Sequence, residues 1–119
     1  MNFIHIHSFN QALKLMILAF LISFFSISCG PSDHALKIAD MTGDPVNGKV
    51  VYESKTSPSC ASCHGATARG GSGPNIKSEV SDEGEFIDFV LEGEGSMPAY
   101  DSQLTDQEIA DLVAYVKSL

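Results

Sequence analysis

Two cysteines and a histidine stand together near the middle of the chain, in the run Cys60-Ala61-Ser62-Cys63-His64. Two intervening residues place both sulfurs on one turn, so each sulfur can form a thioether with one of the two vinyl groups of a haem. The next residue then directs its imidazole at the iron. This spacing is the attachment signature of c-type haem. It predicts one covalently bound haem c with His64 as an iron ligand.

Three other kinds of site can contain a Cys-x-x-Cys pair. A thioredoxin-like pair follows a strand in an α/β fold and opens a long helix, whereas here Ser57-Pro58-Ser59 precedes the pair and a Gly-rich loop follows His64. A structural zinc needs four ligands, and beyond the motif the chain after residue 28 offers only His34 and Cys29. A disulfide within the pair would close a very small loop and stabilise little. Haem attachment is therefore favoured.

Met97 is the candidate for the sixth iron ligand. It stands 33 residues after His64, in the run Ser96-Met97-Pro98. A Met thioether favours Fe(II) and raises the reduction potential, and Pro98 restricts the residue before it to extended geometry. The alternatives are that Met97 only fills a gap in the core, that His34 is the ligand, or that the position is open. Met41, the other Met after residue 28, precedes the first predicted helix.

The N-terminal segment is typical of an export signal. Lys14 precedes a run of 11 residues, 15–25, that is apolar apart from Ser23, which fits a signal-peptide core and is shorter than the roughly 20 residues that span a membrane. Ser28-Cys29 resembles the end of a bacterial lipoprotein signal. We expect residues 1–28 to be a signal peptide and Cys29 to carry lipid, with a plain secretory signal or an uncleaved anchor helix as alternatives. All three place the remainder outside the cytoplasm, in the periplasm or on the outer face of a bacterial membrane.

The body of the chain is small and acidic. The 119 residues allow one domain, and the part after residue 28 carries 15 Asp and Glu against 6 Lys and Arg. This charge argues against nucleic-acid binding and against charge-driven docking on an anionic membrane. One run has seven carboxylates and no basic residue, and it is either a docking surface for a basic partner or a solvated helix face: Glu79, Asp82, Glu83, Glu85, Asp88, Glu92 and Glu94.

Local signals predict three main helices. Asp44-Pro45 starts a helix over 45–53, a second covers 85–92 and ends at Gly93, and a capping box of Thr105 and Glu108 starts the last. The last helix carries an amphipathic stripe of Ile109, Leu112, Val113 and Val116. Residues 65–73 are predicted as a loop, residues 29–42 as a short tether without a periodic pattern, and 43–119 as the domain. No period-2 strand pattern appears, so the predicted fold class is all-α.

Residues 43–119 resemble a small class I bacterial c-type cytochrome. The resemblance rests on Gly48, Tyr52, Cys60-x-x-Cys63-His64-Gly65, Gly73-Pro74-Asn75, Met97-Pro98-Ala99-Tyr100 and Leu104 through Tyr115. It implies the cytochrome c fold, with three main helices packed around the haem.

The resemblance also implies residue roles. Cys60 and Cys63 would hold the haem, His64 and Met97 would ligate iron, and the Pro74 carbonyl would accept a hydrogen bond from the other ring nitrogen of His64. Gly48 and Tyr52 would meet Tyr115 where the first and last helices cross. The chain departs from the family in two ways: seven residues separate Tyr52 from Cys60, so we expect a bulge there, and the absence of Trp leaves the propionate contacts open.

The function implied by two filled axial positions is electron transfer rather than enzymatic catalysis. We expect a monomeric one-electron carrier in a respiratory chain, with a membrane quinol-oxidising complex as donor and a terminal oxidase or reductase as acceptor. The alternatives are a haem ligand-binding or sensor domain, in which Met97 is displaced, and a fixed cytochrome subunit of a larger oxidoreductase complex.

Overall fold

The computed structural model describes Lys14 and residues 30–119, and the remainder of the expected signal peptide together with Cys29 lies outside the described residues. Residues 30–119 form α-helices α1 (Asp33–Ala39), α2 (Pro45–Val50), α3 (Cys60–His64), α4 (Glu83–Glu92) and α5 (Asp106–Ser118). A 3₁₀ helix (Glu79–Ser81) precedes α4. Within this range the one β-type pairing is an isolated bridge between Glu94 and Met97. The all-α prediction is confirmed.

The starts of α2 and α5 follow the capping signals in the sequence. The Asp44 carboxylate accepts a hydrogen bond from the backbone N–H of Val46 at 2.8 Å, and Pro45 occupies the first turn of α2. At α5, the Thr105 hydroxyl accepts from the N–H of Glu108, and the Glu108 carboxylate accepts from the N–H of Thr105 at 2.9 Å. The four residues of the predicted stripe on α5 are all buried: Ile109, Leu112, Val113 and Val116.

The backbones of helices α2 and α5 approach each other closely where the two helices cross. A Cβ atom at Gly48 would lie 1.9 Å from the Asp111 carbonyl oxygen and 2.8 Å from the Tyr115 Cβ, so no larger residue fits without moving a helix. Beside this point the rings of Tyr52 and Tyr115 have their centroids 5.5 Å apart, tilted by 54°. The predicted contact of Gly48, Tyr52 and Tyr115 is confirmed.

A buried carboxylate joins the same two helices. Asp111 is 3% exposed, and it accepts hydrogen bonds from the backbone N–H of Asp44 at 2.7 Å and from the side-chain amides of Asn47 and Gln107. Burial acts to raise the pKa of Asp111, but these three donors together hold the pKa below its ordinary value. The ionised carboxylate therefore ties the N-terminus of α2 to α5.

The segment before α2 differs from the predicted tether. Helix α1 is capped by the hydroxyl of Ser32, which accepts from the N–H of Ala35 at 3.1 Å. Ala35 and Ile38 are buried, and α1 packs chiefly against α4. The expectation of a segment without regular structure is wrong for Asp33–Ala39. Two buried residues on one short helix are too few to form a recognisable periodic pattern.

The long connection between Tyr52 and Cys60 begins inside a helix. Helix α2 continues as a π-helical turn, Val51–Lys55, in which Val51 and Tyr52 are buried. A π-turn accommodates extra residues by widening a helix locally. The expected bulge takes this form, and residues 56–59 then lead into α3.

Candidate haem-binding site

Helix α3 brings the Cys-x-x-Cys-His residues to one cavity. It is only five residues long, and it ends at Gly65, whose positive φ of 75° turns the chain away. Cys60 and Cys63 are half-buried, and His64 is 7% exposed. All three line a cavity of about 490 Å³, a volume within the range of cofactor sites.

The rest of the cavity is largely apolar. Helix α4 contributes Phe86, Phe89 and Val90, α5 contributes Leu112, and Tyr52 lines the side next to α2. Pro74 and Met97 reach the cavity from two loops. The structure thus brings all five site residues predicted from the sequence to one cavity: Cys60, Cys63, His64, Pro74 and Met97.

His64 is oriented by one backbone acceptor. Its Nδ1 lies 2.9 Å from the carbonyl oxygen of Pro74. A carbonyl oxygen can only accept, so this contact requires the proton on Nδ1 and leaves the lone pair on Nε2. That is the tautomer needed for metal ligation through Nε2, with the carbonyl holding the ring in place.

The Gly-rich loop 65–73 packs directly against α3. The N–H of Gly73 donates to the carbonyl of Cys63 at 2.9 Å, and the N–H of Gly70 donates to the carbonyl of His64 at 3.0 Å. A Cβ atom at Gly73 would lie 3.1 Å from Cε1 and Nδ1 of the imidazole. A side chain at this position would crowd the imidazole, so the glycine helps the loop to bring the Pro74 carbonyl to His64.

Met97 is held by backbone contacts on both sides. Glu94 and Met97 exchange two backbone hydrogen bonds, at 3.2 and 2.9 Å. Three residues later, the N–H of Tyr100 donates to the carbonyl of Val90 at 3.0 Å. These contacts bind the Met97 loop to the end of α4, beside the cavity.

Two tyrosine hydroxyls lie beside helix α3, which carries the half-buried Cys60 thiol. The Tyr52 hydroxyl donates to the carbonyl of Gly65 at 2.6 Å, and the Tyr100 hydroxyl donates to the carbonyl of Pro58 at 2.9 Å. Burial raises the pKa of Tyr52 to about 12 and also raises the pKa of Tyr100. Burial likewise raises the pKa of the Cys60 thiol, in contrast to the lowered pKa typical of reactive redox cysteines.

The alternative ligands lie away from the cavity. His34 Nε2 lies 3.0 Å from Oδ1 of Asp106, and neither His34 nor Met41 is among the residues that line the cavity. Across residues 30–119 no group of three or more His, Cys, Asp or Glu side chains is placed to hold a metal ion. The part of the chain described also contains no strand before Cys60. These observations weigh against the zinc and thioredoxin-like interpretations.

The acidic run divides into structural and exposed carboxylates. Asp82 caps α4, Glu83 pairs with Lys117, and Asp88 accepts from the N–H and hydroxyl of Ser32 at 2.7 and 2.6 Å. Three others are exposed and line the cavity: Glu79, Glu85 and Glu94. The charged side chains at the cavity rim are therefore acidic.

The family described as cytochrome c oxidase, cbb3-type, subunit III has a sequence model that matches residues 43–116. The chain belongs to this family of c-type cytochromes. The cytochrome is 36% identical over 78 residues to cytochrome c-551 of Halorhodospira halochloris, covering 60% of this chain and 96% of that protein. It is 29% identical over 76 residues to cytochrome c-551 of Halorhodospira halophila, covering 60% and 97%.

Two further comparisons concern larger proteins. The cytochrome bc1 complex cytochrome c subunit of Corynebacterium diphtheriae is 39% identical over 64 residues, covering 50% of this chain and 23% of that protein. Cytochrome cL from Hyphomicrobium denitrificans superimposes with a TM-score of 0.53 at 20% identity, covering 72% of this chain and 51% of that structure. The latter supports the cytochrome c fold.

The residues of the cytochrome fit a covalently bound haem. Two thiols at the c-type spacing, an imidazole with its Nε2 lone pair available and a thioether all line one largely apolar cavity. Such a donor set suits haem iron and the haem vinyl groups.

Proposed function

We propose that this cytochrome is a one-electron carrier whose single haem c is attached through Cys60 and Cys63 and ligated by His64 and Met97. When bound, the haem supplies reversible Fe(III)/Fe(II) chemistry. The observation that carries the proposal is the placement of both thiols, the imidazole and the thioether around one cavity.

The protein's own side chains define what this site can do. Pro74 holds His64 in the ligating tautomer, the Met97 thioether favours the reduced iron, and Phe86, Phe89 and Val90 provide apolar walls. His64 and Met97 would together ligate the iron and would leave no open position for a substrate. This supports a role in electron transfer rather than in enzymatic catalysis.

We place the cytochrome outside the cytoplasm, anchored by lipid on Cys29 after removal of residues 1–28. Diacyl attachment at one cysteine makes membrane anchoring stable. Within residues 30–119 and at Lys14, no helix is long and apolar enough to cross a membrane. Because Ser32 is hydrogen-bonded to Asp88, the linker between the lipidated Cys29 and the folded domain would be only a few residues long.

The partners we propose are redox proteins, with a quinol-oxidising complex as donor and a terminal oxidase or reductase as acceptor. Glu79, Glu85 and Glu94 at the cavity rim favour partners with basic docking surfaces, since opposite charges steer such encounters. Redox encounters of this kind are small and transient, which fits a monomeric carrier.

A second possibility is a fixed subunit of an oxidoreductase complex. The similarity to a bc1 complex cytochrome c subunit supports it, as does the short, ordered connection at α1. Co-purification in mild detergent distinguishes the two: stoichiometric partners indicate a subunit, and a cytochrome free of partners indicates a carrier.

The experiment that tests the proposal is a redox titration of the full chain, produced in a bacterium that matures c-type cytochromes. We expect one covalently attached haem by mass and a single reversible one-electron transition. Cys60→Ala/Cys63→Ala, expressed in parallel, is the control that should carry no covalent haem. A wild-type protein that lacks covalent haem, or that shows no reversible transition, would contradict the proposal.

A further inference from the structure

The last residue of the π-turn and the four residues that lead into α3 contact the chain that follows Met97. We call residues 55–59 the strap. Lys55 Nζ lies 2.8 Å from Oε1 of Glu108, and the N–H of Ser57 donates to the side-chain oxygen of Gln103 at 3.1 Å. The strap is therefore attached at two points to the chain that follows Met97.

A third contact lies at the cavity wall. The Tyr100 hydroxyl donates to the carbonyl of Pro58 at 2.9 Å across a sequence separation of 42 residues. Pro58 and Tyr100 both line the cavity, and Pro58 stands two residues before Cys60. This hydrogen bond thus connects the attachment side of the cavity to the Met97 side.

Tyr100 is well placed to transmit that connection to Met97. Its side chain is buried, its N–H is bonded to the carbonyl of Val90 at 3.0 Å, and its carbonyl accepts from the N–H of Leu104 at 3.0 Å. Because the backbone of Tyr100 is fixed at both its N–H and its carbonyl, the phenol is directed at Pro58. Only two residues, Pro98 and Ala99, separate Met97 from Tyr100, and Pro98 is conformationally restricted.

We infer that Tyr100 is a positioning residue for Met97: its hydrogen bond to Pro58 holds the thioether at the sixth coordination position and so limits displacement of Met97 by external ligands. The inference rests on the proposed ligation by His64 and Met97. Groups that orient a metal ligand strengthen its binding to the metal, because the ligand is already held in the correct position. The lengthened segment after Tyr52 then has a role, because the strap supplies the carbonyl that accepts from Tyr100.

The test compares imidazole binding by the ferric holoprotein in wild type, Tyr100→Phe and Tyr115→Phe. Tyr100→Phe removes one hydroxyl and keeps the ring. Tyr115→Phe is the matched control, because Tyr115 is also buried but does not line the cavity. Loss of the near-infrared absorption band of Met–Fe(III) ligation reports displacement of Met97, and urea unfolding of each variant measures any general loss of stability.

We expect Tyr100→Phe to bind imidazole about 2- to 10-fold more tightly than wild type, the range that corresponds to one hydrogen bond. Tyr115→Phe should bind imidazole as wild type does, even if its unfolding midpoint falls. Gln103→Ala removes another strap contact and should also tighten imidazole binding. This variant replaces Tyr100→Phe in the test if Tyr100→Phe does not accumulate.

Two results overturn the inference and are distinguishable. Wild-type protein without the near-infrared band would overturn the proposed ligation and the inference together. A wild type with the band, and an imidazole affinity that is unchanged in Tyr100→Phe or is raised equally in Tyr115→Phe, would overturn the role of Tyr100 alone.

Discussion

His64 depends on a single backbone carbonyl for its tautomer. The 2.9 Å contact from Nδ1 to Pro74 leaves Nε2 as the acceptor nitrogen, and the close approach of Gly73 to the ring makes the contact possible. For single residues, the site therefore consists of the proposed ligating groups and of the backbone atoms that orient them.

Replacing Met97 by Ala should open the sixth position. We expect Met97→Ala to retain covalent haem, because the attachment residues are unchanged, but to show a lower reduction potential and to bind carbon monoxide when reduced. Redox titration and absorption spectra measure both effects. Met41→Ala is the control, since Met41 is exposed and does not line the cavity. An unchanged potential and spectrum in Met97→Ala would exclude Met97 as a ligand.

Asp111 should make stability depend on pH. Its folded-state pKa lies below the ordinary value of 3.8, so its contribution is present above that value and is lost as the pH falls through the lower folded pKa. Asp111→Asn should lower the free energy of unfolding by about 1–3 kcal/mol at pH 7, because the amide keeps one acceptor oxygen and places an NH₂ donor where the other oxygen accepted a hydrogen bond.

Urea unfolding at pH 7 and below pH 3.8 measures the effect. The difference between wild type and Asp111→Asn should shrink at the lower pH. Asp101→Asn, at an exposed position, should show little change at either pH. A variant that is as stable as wild type at pH 7 would mean that the charge and the second acceptor oxygen of Asp111 contribute nothing net.

At the scale of elements, the sequence predicted what is encoded locally. The caps of α2 and α5 depend on residues within three positions of each other, and the stripe on α5 is a repeating pattern, so both could be recognised. Asp111 and Tyr100 could not be placed in this way. Their partners Asp44 and Pro58 lie 67 and 42 residues away, and only the folded chain brings them together.

Helix α1 was missed for a related reason. Its stability comes from α4: Pro31 lies against Gly84, where a Cβ atom would be 2.6 Å from its ring, and Ser32 binds Asp88. The sequence signal that was available is Ser32, a good N-cap residue, followed by buried residues three apart, Ala35 and Ile38.

Removing the Ile38 side chain should show that α1 belongs to the folded domain. Ile38 is 1% exposed, whereas Leu36 on the same helix is 49% exposed. We expect Ile38→Ala to lower the free energy of unfolding of the holoprotein by about 2–5 kcal/mol, the usual range for a buried aliphatic residue. Leu36→Ala should have a much smaller effect. Equal, small effects in urea unfolding would mean that α1 is only loosely attached.

For the molecule as a whole, we expect the haem to complete the core. Helices α3, α4 and α5 line a cavity of about 490 Å³, with Phe86, Phe89 and Leu112 on its apolar walls. Without a group in this cavity its apolar walls would face water, and their burial would be lost from the stability of a small domain. The remaining core would have to offset an ordering entropy of about 1.5 kcal/mol per residue.

We therefore expect the haem-free Cys60→Ala/Cys63→Ala chain to be largely unfolded. Circular dichroism should show weak helical signal, and amide exchange should be rapid throughout. The holoprotein of wild-type sequence is the reference for both measurements. A cooperative thermal transition in the haem-free variant would mean that the protein core is sufficient without the cofactor.

Carbon monoxide reports directly on the proposed ligation of the iron by both His64 and Met97, because it binds only where an iron position is open. The reduced, full-length holoprotein is titrated with carbon monoxide at neutral pH, and its absorption spectrum is followed alongside that of Met97→Ala. We predict no spectral change in the wild-type protein and saturable binding in the variant. Saturable binding by the wild-type protein would contradict the account and favour a ligand-binding or sensor function.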